Sequence, residues 1–116
     1  MRQFKLTKSE RLLKRGEFLA VSKKPDRRIK TDHFLLLIKP NQLSQTRLGI
    51  TASKKVGSAV KRNRVKRRVR EFFRANKHLL PSGLDLLIIV CRGAADIDAD
   101  SFEREQKELF RQASTL

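Results

Sequence analysis

The stretch Lys61-Arg62-Asn63-Arg64-Val65-Lys66-Arg67-Arg68-Val69-Arg70 places seven cationic side chains in ten residues and still keeps an apolar stripe. From Val65, apolar residues recur at Val69, Phe72 and Phe73, the i, i+4, i+7, i+8 spacing of an amphipathic helix. Asn63, Arg67, Arg70 and Arg74 fall together on the opposite side, Arg64 and Arg68 form a flank, and Glu71 is the only acid. Such a helix docks by one face and offers the other to a polyanion, which makes nucleic acid the leading partner.

The neighbouring patterns set its surroundings. The helix is expected to start near Ser58 and to fray around His78, before Pro81-Ser82-Gly83 breaks the chain. Residues 47–53 alternate, with Leu48, Ile50 and Ala52 on one face and Gly49, Thr51 and Ser53 on the other. Residues 84–91 are apolar apart from Asp85, as expected of a strand covered on both faces and lying beside the preceding strand across a helical crossover. Residues 34–38 read as a strand ended by Pro40 and Asn41, with Leu35 and Leu37 facing away from Phe34, Leu36 and Ile38. That strand and residues 47–53 read as an antiparallel pair.

Thr7 and Glu10 form a capping-box pattern for a first helix reaching about Val21. Its core side would carry Leu12, Leu13, Leu19 and Ala20, with Phe18 on the face of Arg11 and Lys14. Residues 22–30, with Pro25 and five basic side chains, read as a loop or an irregular edge strand. A last helix takes Asp100 as N-cap and buries Phe102, Leu109, Phe110 and Ala113. The order is α-β-β-α-β-α with one extra short strand near Ile29, an α+β fold around one mixed sheet. Residues 1–116 read as a single RNA-binding domain, with residues 1–6 as a flexible N-terminal arm.

Composition narrows the partner. Among 116 residues, 28 Lys and Arg stand against 12 Asp and Glu, a formal charge of +16. Such an excess repels itself in the compact state, so polyanions are expected to stabilise the fold. A membrane-surface role is the competitor, but there is no Trp or Tyr and the apolar face is ordinary core material. The single Cys91 excludes an internal disulfide, suits a reducing compartment and reads as a small buried hydrophobe. No run reaches the length of a membrane span and the first residues lack a signal-peptide core, so the cytoplasm is the expected location.

The sequence contains no catalytic constellation of its own. His33 and His78 lie on separate elements, and no glycine-rich phosphate loop is present. Asp96, Asp98 and Asp100 alternate like the start of a calcium loop, but Ser101 and Lys107 stand where Gly and Glu are needed. Two binding surfaces suggest themselves instead. Lys54 and Lys55 lead to the start of the basic helix, whose free N–H groups and forked arginines suit phosphate, although a generic basic helix offers much the same. Phe18, Leu35, Leu37 and Thr51, rimmed by Arg11 and Lys14, suit an extended single strand, unless they are further core under another element.

The segment Ser53-Lys54-Lys55-Val56-Gly57-Ser58-Ala59-Val60-Lys61-Arg62-Asn63-Arg64-Val65-Lys66-Arg67 holds Ser-Lys-Lys, Gly, Ala-Val and Arg-Asn-Arg-x-Lys-Arg in order over 15 residues. In this the chain resembles the protein subunit of bacterial ribonuclease P, and the likeness continues through Leu6, Arg11-Leu12, Phe18, Arg47-Leu48-Gly49-Ile50 and residues 84–92. The resemblance implies α-β-β-β-α-β-α around a four-stranded mixed sheet, with a left-handed crossover against the usual hand. It implies a partner of the catalytic RNA that removes the 5′ leader from precursor tRNA. Hydrolysis would lie on that RNA and its Mg²⁺, with one protein per RNA, no membrane and no DNA. Lys54, Lys55, Arg62, Asn63, Arg64, Lys66, Arg67 and Arg70 would meet the RNA subunit. Arg11, Lys14, Phe18, Leu35, Leu37 and Thr51 would form the leader cleft. Ser22 and Leu37 stand where the family often has aromatics, which points to aliphatic contact and charge rather than stacking.

Overall fold

The computed structural model describes residues 10–12 and 14–115. The N-terminal arm, the Thr7 cap and Leu13 lie outside the described residues. Among the described residues three α-helices and four strands follow in the order α1 (Arg15–Lys23), β1 (Arg27–Lys30), β2 (Phe34–Pro40), β3 (Arg47–Ala52), α2 (Ala59–Asn76), β4 (Leu84–Val90) and α3 (Ala99–Ala113). The expected short strand near Ile29 is β1.

The sheet order is β1-β2-β4-β3. β4 pairs antiparallel with β2 and parallel with β3. The expected antiparallel pairing of β2 with β3 is therefore absent, because β4 enters between them. Its apolar side chains on both faces are best buried in a central position, and the connection from β2 to β3 passes over its start. Asn41 N–H donates to Gly83 O, the Thr46 hydroxyl donates to Pro81 O, and Leu84 N–H donates to that hydroxyl. The loop thus straddles β4 rather than closing a turn.

One sheet face is covered by α2 and α3. Val65, Val69 and Phe73 of α2, with Phe102, Leu109 and Phe110 of α3, bury Phe34, Leu36, Ile38, Leu86 and Ile88. Phe102 meets Phe34 edge-on at 5.7 Å between centroids, and Phe110 meets Phe72 at 5.0 Å. Such pairs add about 0.5–1.5 kcal/mol beyond the area they bury. Arg68 is drawn inward, its guanidinium 4.4 Å from the Phe102 centroid, so this flank residue ties α2 to α3. The N-cap of α3 is Asp98 rather than Asp100. Asp98 has extended backbone and accepts Ser101 N–H at 2.7 Å, whereas Asp100 is already helical.

The other face is covered by α1 alone among the described helices, whose Val21 packs with Leu12, Leu37 and Leu87. α1 starts at Arg15, later than expected. Residues 11 and 12 run along the outer edge of β3, where Arg11 bridges to Leu48 and Leu12 N–H donates to Leu48 O at 3.0 Å. An unpaired strand edge attracts backbone in this way. With Leu12 outside the helix, Phe18 and Val21, three apart, set its buried face. Leu19 and Ala20 are exposed, the reverse of the expected orientation.

Two ion networks fasten these layers. Arg47 on β3 donates through Nε and Nη2 to both Asp85 carboxylate oxygens (2.8 and 2.7 Å) and through Nη1 to Glu17 of α1 (2.7 Å). The hydrogen bonds that Arg47 donates to Asp85 raise its pKa despite burial. Glu105 on α3 accepts from the Thr31 hydroxyl (2.6 Å) and the His33 backbone N–H (2.8 Å) and pairs with His33 Nδ1 (2.6 Å). Burial opposes its charge, but these hydrogen bonds outweigh it and hold the carboxyl below its ordinary value.

Arg47→Ala leaves a nearly buried Asp85 without its fork and is expected to cost about 2–3 kcal/mol in urea unfolding. For Glu105, the lowered folded pKa means its contribution is complete above the unfolded value and lost as pH falls through the folded one. Glu105→Gln is therefore expected to lower stability at pH 7 and to flatten the acid limb of stability against pH. A variant curve parallel to wild type below pH 4.5 contradicts this assignment.

Candidate nucleic-acid interface

The outer face of α2 is built from its first turn. Ser58 caps the helix, its hydroxyl accepting Lys61 N–H at 3.3 Å. Upstream, Ser53 starts a short turn over Lys54–Val56, its hydroxyl accepting Lys55 N–H, while buried Val56 anchors that turn. Gly57 joins the two with φ 147° and ψ −164°, a conformation that essentially only glycine adopts. Lys54 and Lys55 consequently stand exposed beside the helix start. Asn63, Arg64, Arg67 and Arg70 are exposed along α2, and Arg62 and Lys66 are half-buried.

None of Lys54, Lys55, Arg62, Arg64, Lys66, Arg67 and Arg70 forms an ion pair with a carboxylate among the described residues. Burial and then the nearby positive charge of Arg11 lower the Arg70 pKa. Six of the 12 acids instead lie between Asp96 and Glu108, on and before α3. The positive field is thus concentrated on the α2 side.

On the α1 face, the register lays Lys30, Leu35, Ile89 and Thr51 in one row across the four strands. Leu35 and Ile89 are half-buried, and Lys30 and Thr51 are exposed. An open cleft of about 550 Å³ continues past Thr51 over the β3 edge, lined by Arg15, Phe18, Leu19, Ile50, Thr51, Ala52 and Lys66. Phe18 is seated against Gly49, where a Cβ would lie 2.8 Å from Phe18 Cε1 and 2.9 Å from Leu12 Cδ1.

Phe18 and Thr51 therefore come together, with Leu35 further along the same face. Leu37 does not join the surface: it is 3% exposed beneath α1 and supports the floor. Arg11 lies near Arg70 at the β3 edge and Lys14 sits at the α1 N-cap, so neither lines the cleft. Arg15 and Lys66 supply its cations. Arg15, Lys30 and Ile89 were missed; the odd-numbered alternation of β4 carried the signal for Ile89, but Arg15 depends on where α1 begins. Cys91 is half-buried rather than buried.

Among the described residues no three His, Cys, Asp or Glu side chains group to hold a metal ion. Asp96 pairs with Lys61 at 3.3 Å and Asp98 caps α3, so the acidic alternation does not converge on a cation. No helix among them is long and apolar enough to cross a membrane.

A mixed four-stranded sheet presenting one arginine-rich helix and one half-apolar face defines a small α+β domain with a polycationic surface. The family model described as Ribonuclease P matches residues 6–114. A ribonuclease P protein component from Citrifermentans bemidjiense is 46% identical over 103 residues, covering 89% of this chain and 87% of its own length. One from Desulfosudis oleivorans is 41% identical over 114 residues, covering 98% and 93%. Among solved structures, the RNase P protein from Staphylococcus aureus gives a TM-score of 0.83 at 29% identity, covering 91% of this chain and 96% of that one. The RNase P protein from Thermotoga maritima gives 0.77 at 32% identity, covering 92% and 97%. The chain belongs to the bacterial ribonuclease P protein family. Membership makes it an RNA-binding component of a ribonucleoprotein nuclease of tRNA processing.

Gly57→Ala forces a side chain into that backbone region and 2.9 Å from Lys61 Cδ. It is expected to cost about 1–3 kcal/mol in urea unfolding. An unchanged midpoint contradicts the assigned turn.

Proposed function

We propose that this chain holds two RNAs at once, the catalytic RNA subunit on α2 and the single-stranded 5′ leader of precursor tRNA on the α1 face. The observation that carries the reading is the separation of two unlike surfaces along the β3 edge. One is a cationic face of α2 on which Arg62, Arg64, Lys66, Arg67 and Arg70 pair with no carboxylate among the described residues, and the other a half-apolar strip with cations at its ends. Lys54, Lys55, Arg62, Asn63, Arg64, Arg67 and Arg70 would grip backbone phosphates, through forked arginines and the free N–H groups of the first turn of α2. Leader bases would rest on Phe18, Leu35 and Ile89, with phosphates meeting Arg15, Lys66 and Lys30. Lys66 stands between the two surfaces and is assigned to the cleft as well as to the helix.

Cleavage of the leader phosphodiester belongs to the RNA subunit, which supplies the Mg²⁺ sites for hydrolysis. The protein contributes affinity and alignment, as one copy per catalytic RNA in the cytoplasm. Aliphatic Leu37 lies under α1 and exposed Ser22 donates to Leu19 O, so Phe18 is the one aromatic side chain offered to the leader among the described cleft residues.

Arg64→Ala is expected to weaken assembly with the catalytic RNA and to reduce the slope of log K against log salt by about one. Phe18→Ala is expected to weaken holoenzyme binding of leader-bearing precursor by about 1–3 kcal/mol while leaving mature tRNA unchanged. Equal effects of Phe18→Ala on both tRNAs refute the cleft, and an unaltered salt slope in Arg64→Ala refutes the phosphate contact.

A further inference from the structure

At one end of the sheet, chain segments converge that neither surface fully uses. β3 and β4 are parallel, so their carboxyl ends lie side by side, and antiparallel β2 begins at the same end. Lys54 and Lys55 follow β3, Cys91 and Arg92 follow β4, and Thr31, Asp32 and His33 precede β2. Backbone pairing continues past the strands, with Cys91 N–H donating to His33 O at 2.9 Å. His33 is thus one strand from Arg92, and about two strand spacings, roughly 10 Å, from the Lys54-Lys55 side.

Its imidazole is held from α3. Glu105 is 8% exposed, and a carboxylate taken from water needs hydrogen bonds in return. Thr31 and the His33 backbone N–H occupy Oε1, and the ring Nδ1 lies 2.6 Å from Oε2. A carboxylate only accepts, so in the neutral ring Nδ1 carries the hydrogen and Nε2 keeps its lone pair. The Cδ2–Nε2 edge lies toward Gly93, where a Cβ would stand 3.3 Å from Cδ2 and 3.5 Å from Nε2. The side chain is 28% exposed, and Nε2 has no hydrogen-bond partner among the described residues. Fastening the turn to α3 needs only the Thr31 and backbone contacts. The third contact sets the ring and leaves an acceptor open one strand from Arg92, which is how a supporting carboxylate presents an imidazole to a ligand.

We propose that His33 Nε2 accepts a hydrogen bond from a ribose 2′-hydroxyl of bound RNA, with Glu105 as its positioning residue. The inference rests on the two-RNA reading above and extends it to the end of the sheet. A 2′-hydroxyl is the group that separates RNA from DNA at such a contact, while Arg92 and Lys54 take the adjoining phosphates. The hydroxyl belongs either to the leader or to the catalytic RNA.

The discriminating variant is His33→Asn, whose amide nitrogen takes the place of Nδ1 toward Glu105 and which has nothing at the position of Nε2. Its melting temperature is measured beside its affinity for the catalytic RNA, and the reconstituted holoenzyme is tested on precursors with a ribose or a deoxyribose leader. Wild-type melting is expected, with about fivefold weaker binding in one arm. Loss confined to the ribose leader assigns the hydroxyl to the leader; loss in assembly assigns it to the catalytic RNA. Wild-type affinity in every arm overturns the proposal. Should His33→Asn fold poorly, diethyl pyrocarbonate modification of the wild-type chain, read by peptide mass separately from His78, gives the same decision. Protection of His33 on adding the RNAs supports the contact, and an unchanged rate overturns it. Phe18→Ala run in parallel keeps the failures apart. If it loses leader affinity while His33→Asn loses nothing, only the histidine contact falls; if it loses none, the leader cleft falls.

Discussion

Leu84–Val90 carries apolar side chains on both sides of its backbone, and burying them requires a neighbour at each edge and a layer over each face. β2 and β3 supply the edges, α2 and α3 one layer and α1 the other. Most of the remaining architecture follows. β2 and β3 cannot pair because β4 lies between them, the loop between them must straddle its start, and the basic helix becomes the crossover of a parallel pair. The two sheet faces are thereby divided into a thick core under α2 and α3 and a thinner one under the short α1. That thinner cover leaves Leu35, Ile89 and Thr51 within reach of a ligand.

Charge is distributed along the same division. α2 is fixed by Val65, Val69 and Phe73, and Arg68 turns inward over Phe102, while Arg62, Arg64, Lys66, Arg67 and Arg70 pair with no carboxylate among the described residues. Six of the 12 acids lie on and before α3, and Glu17, Asp85 and Glu10 are engaged by Arg47 and Lys77. A chain of charge +16 can fold because its core contains none of the repulsive side chains, which stay at the surface. The same arrangement favours association with RNA, since phosphates relieve the repulsion that folding concentrates.

The basic interface was legible because an amphipathic period and a run of cations are both local. Val65, Val69 and Phe73 are buried and Asn63, Arg64, Arg67 and Arg70 exposed, as their spacing requires. The second surface was legible only in part. Strand alternation placed Leu35, Thr51 and Gly49 on the correct face, yet it could not show that α1 covers Leu37 while leaving Leu35 half open. The first helix was misread because Leu12 fits a helical stripe as well as it fits a strand edge, and only the vacant side of β3 decides between them. Arg15 and Lys66, 51 positions apart by their numbers, meet at one cleft only after α1 and α2 have packed on opposite faces around that edge.

From its order of residues alone, the chain specified which segments are helix and strand, which stripe of the basic helix is buried, and its kinship with ribonuclease P proteins. These are statements about periods of two and of 3.6 residues and about a contiguous motif, and neighbours along the chain suffice to write them. Strand order, the start and face of α1, and the grip of Glu105 on His33 72 residues away were settled in three dimensions. Each depends on which distant backbone edge or buried charge lacks a partner, and that becomes defined only when the layers close.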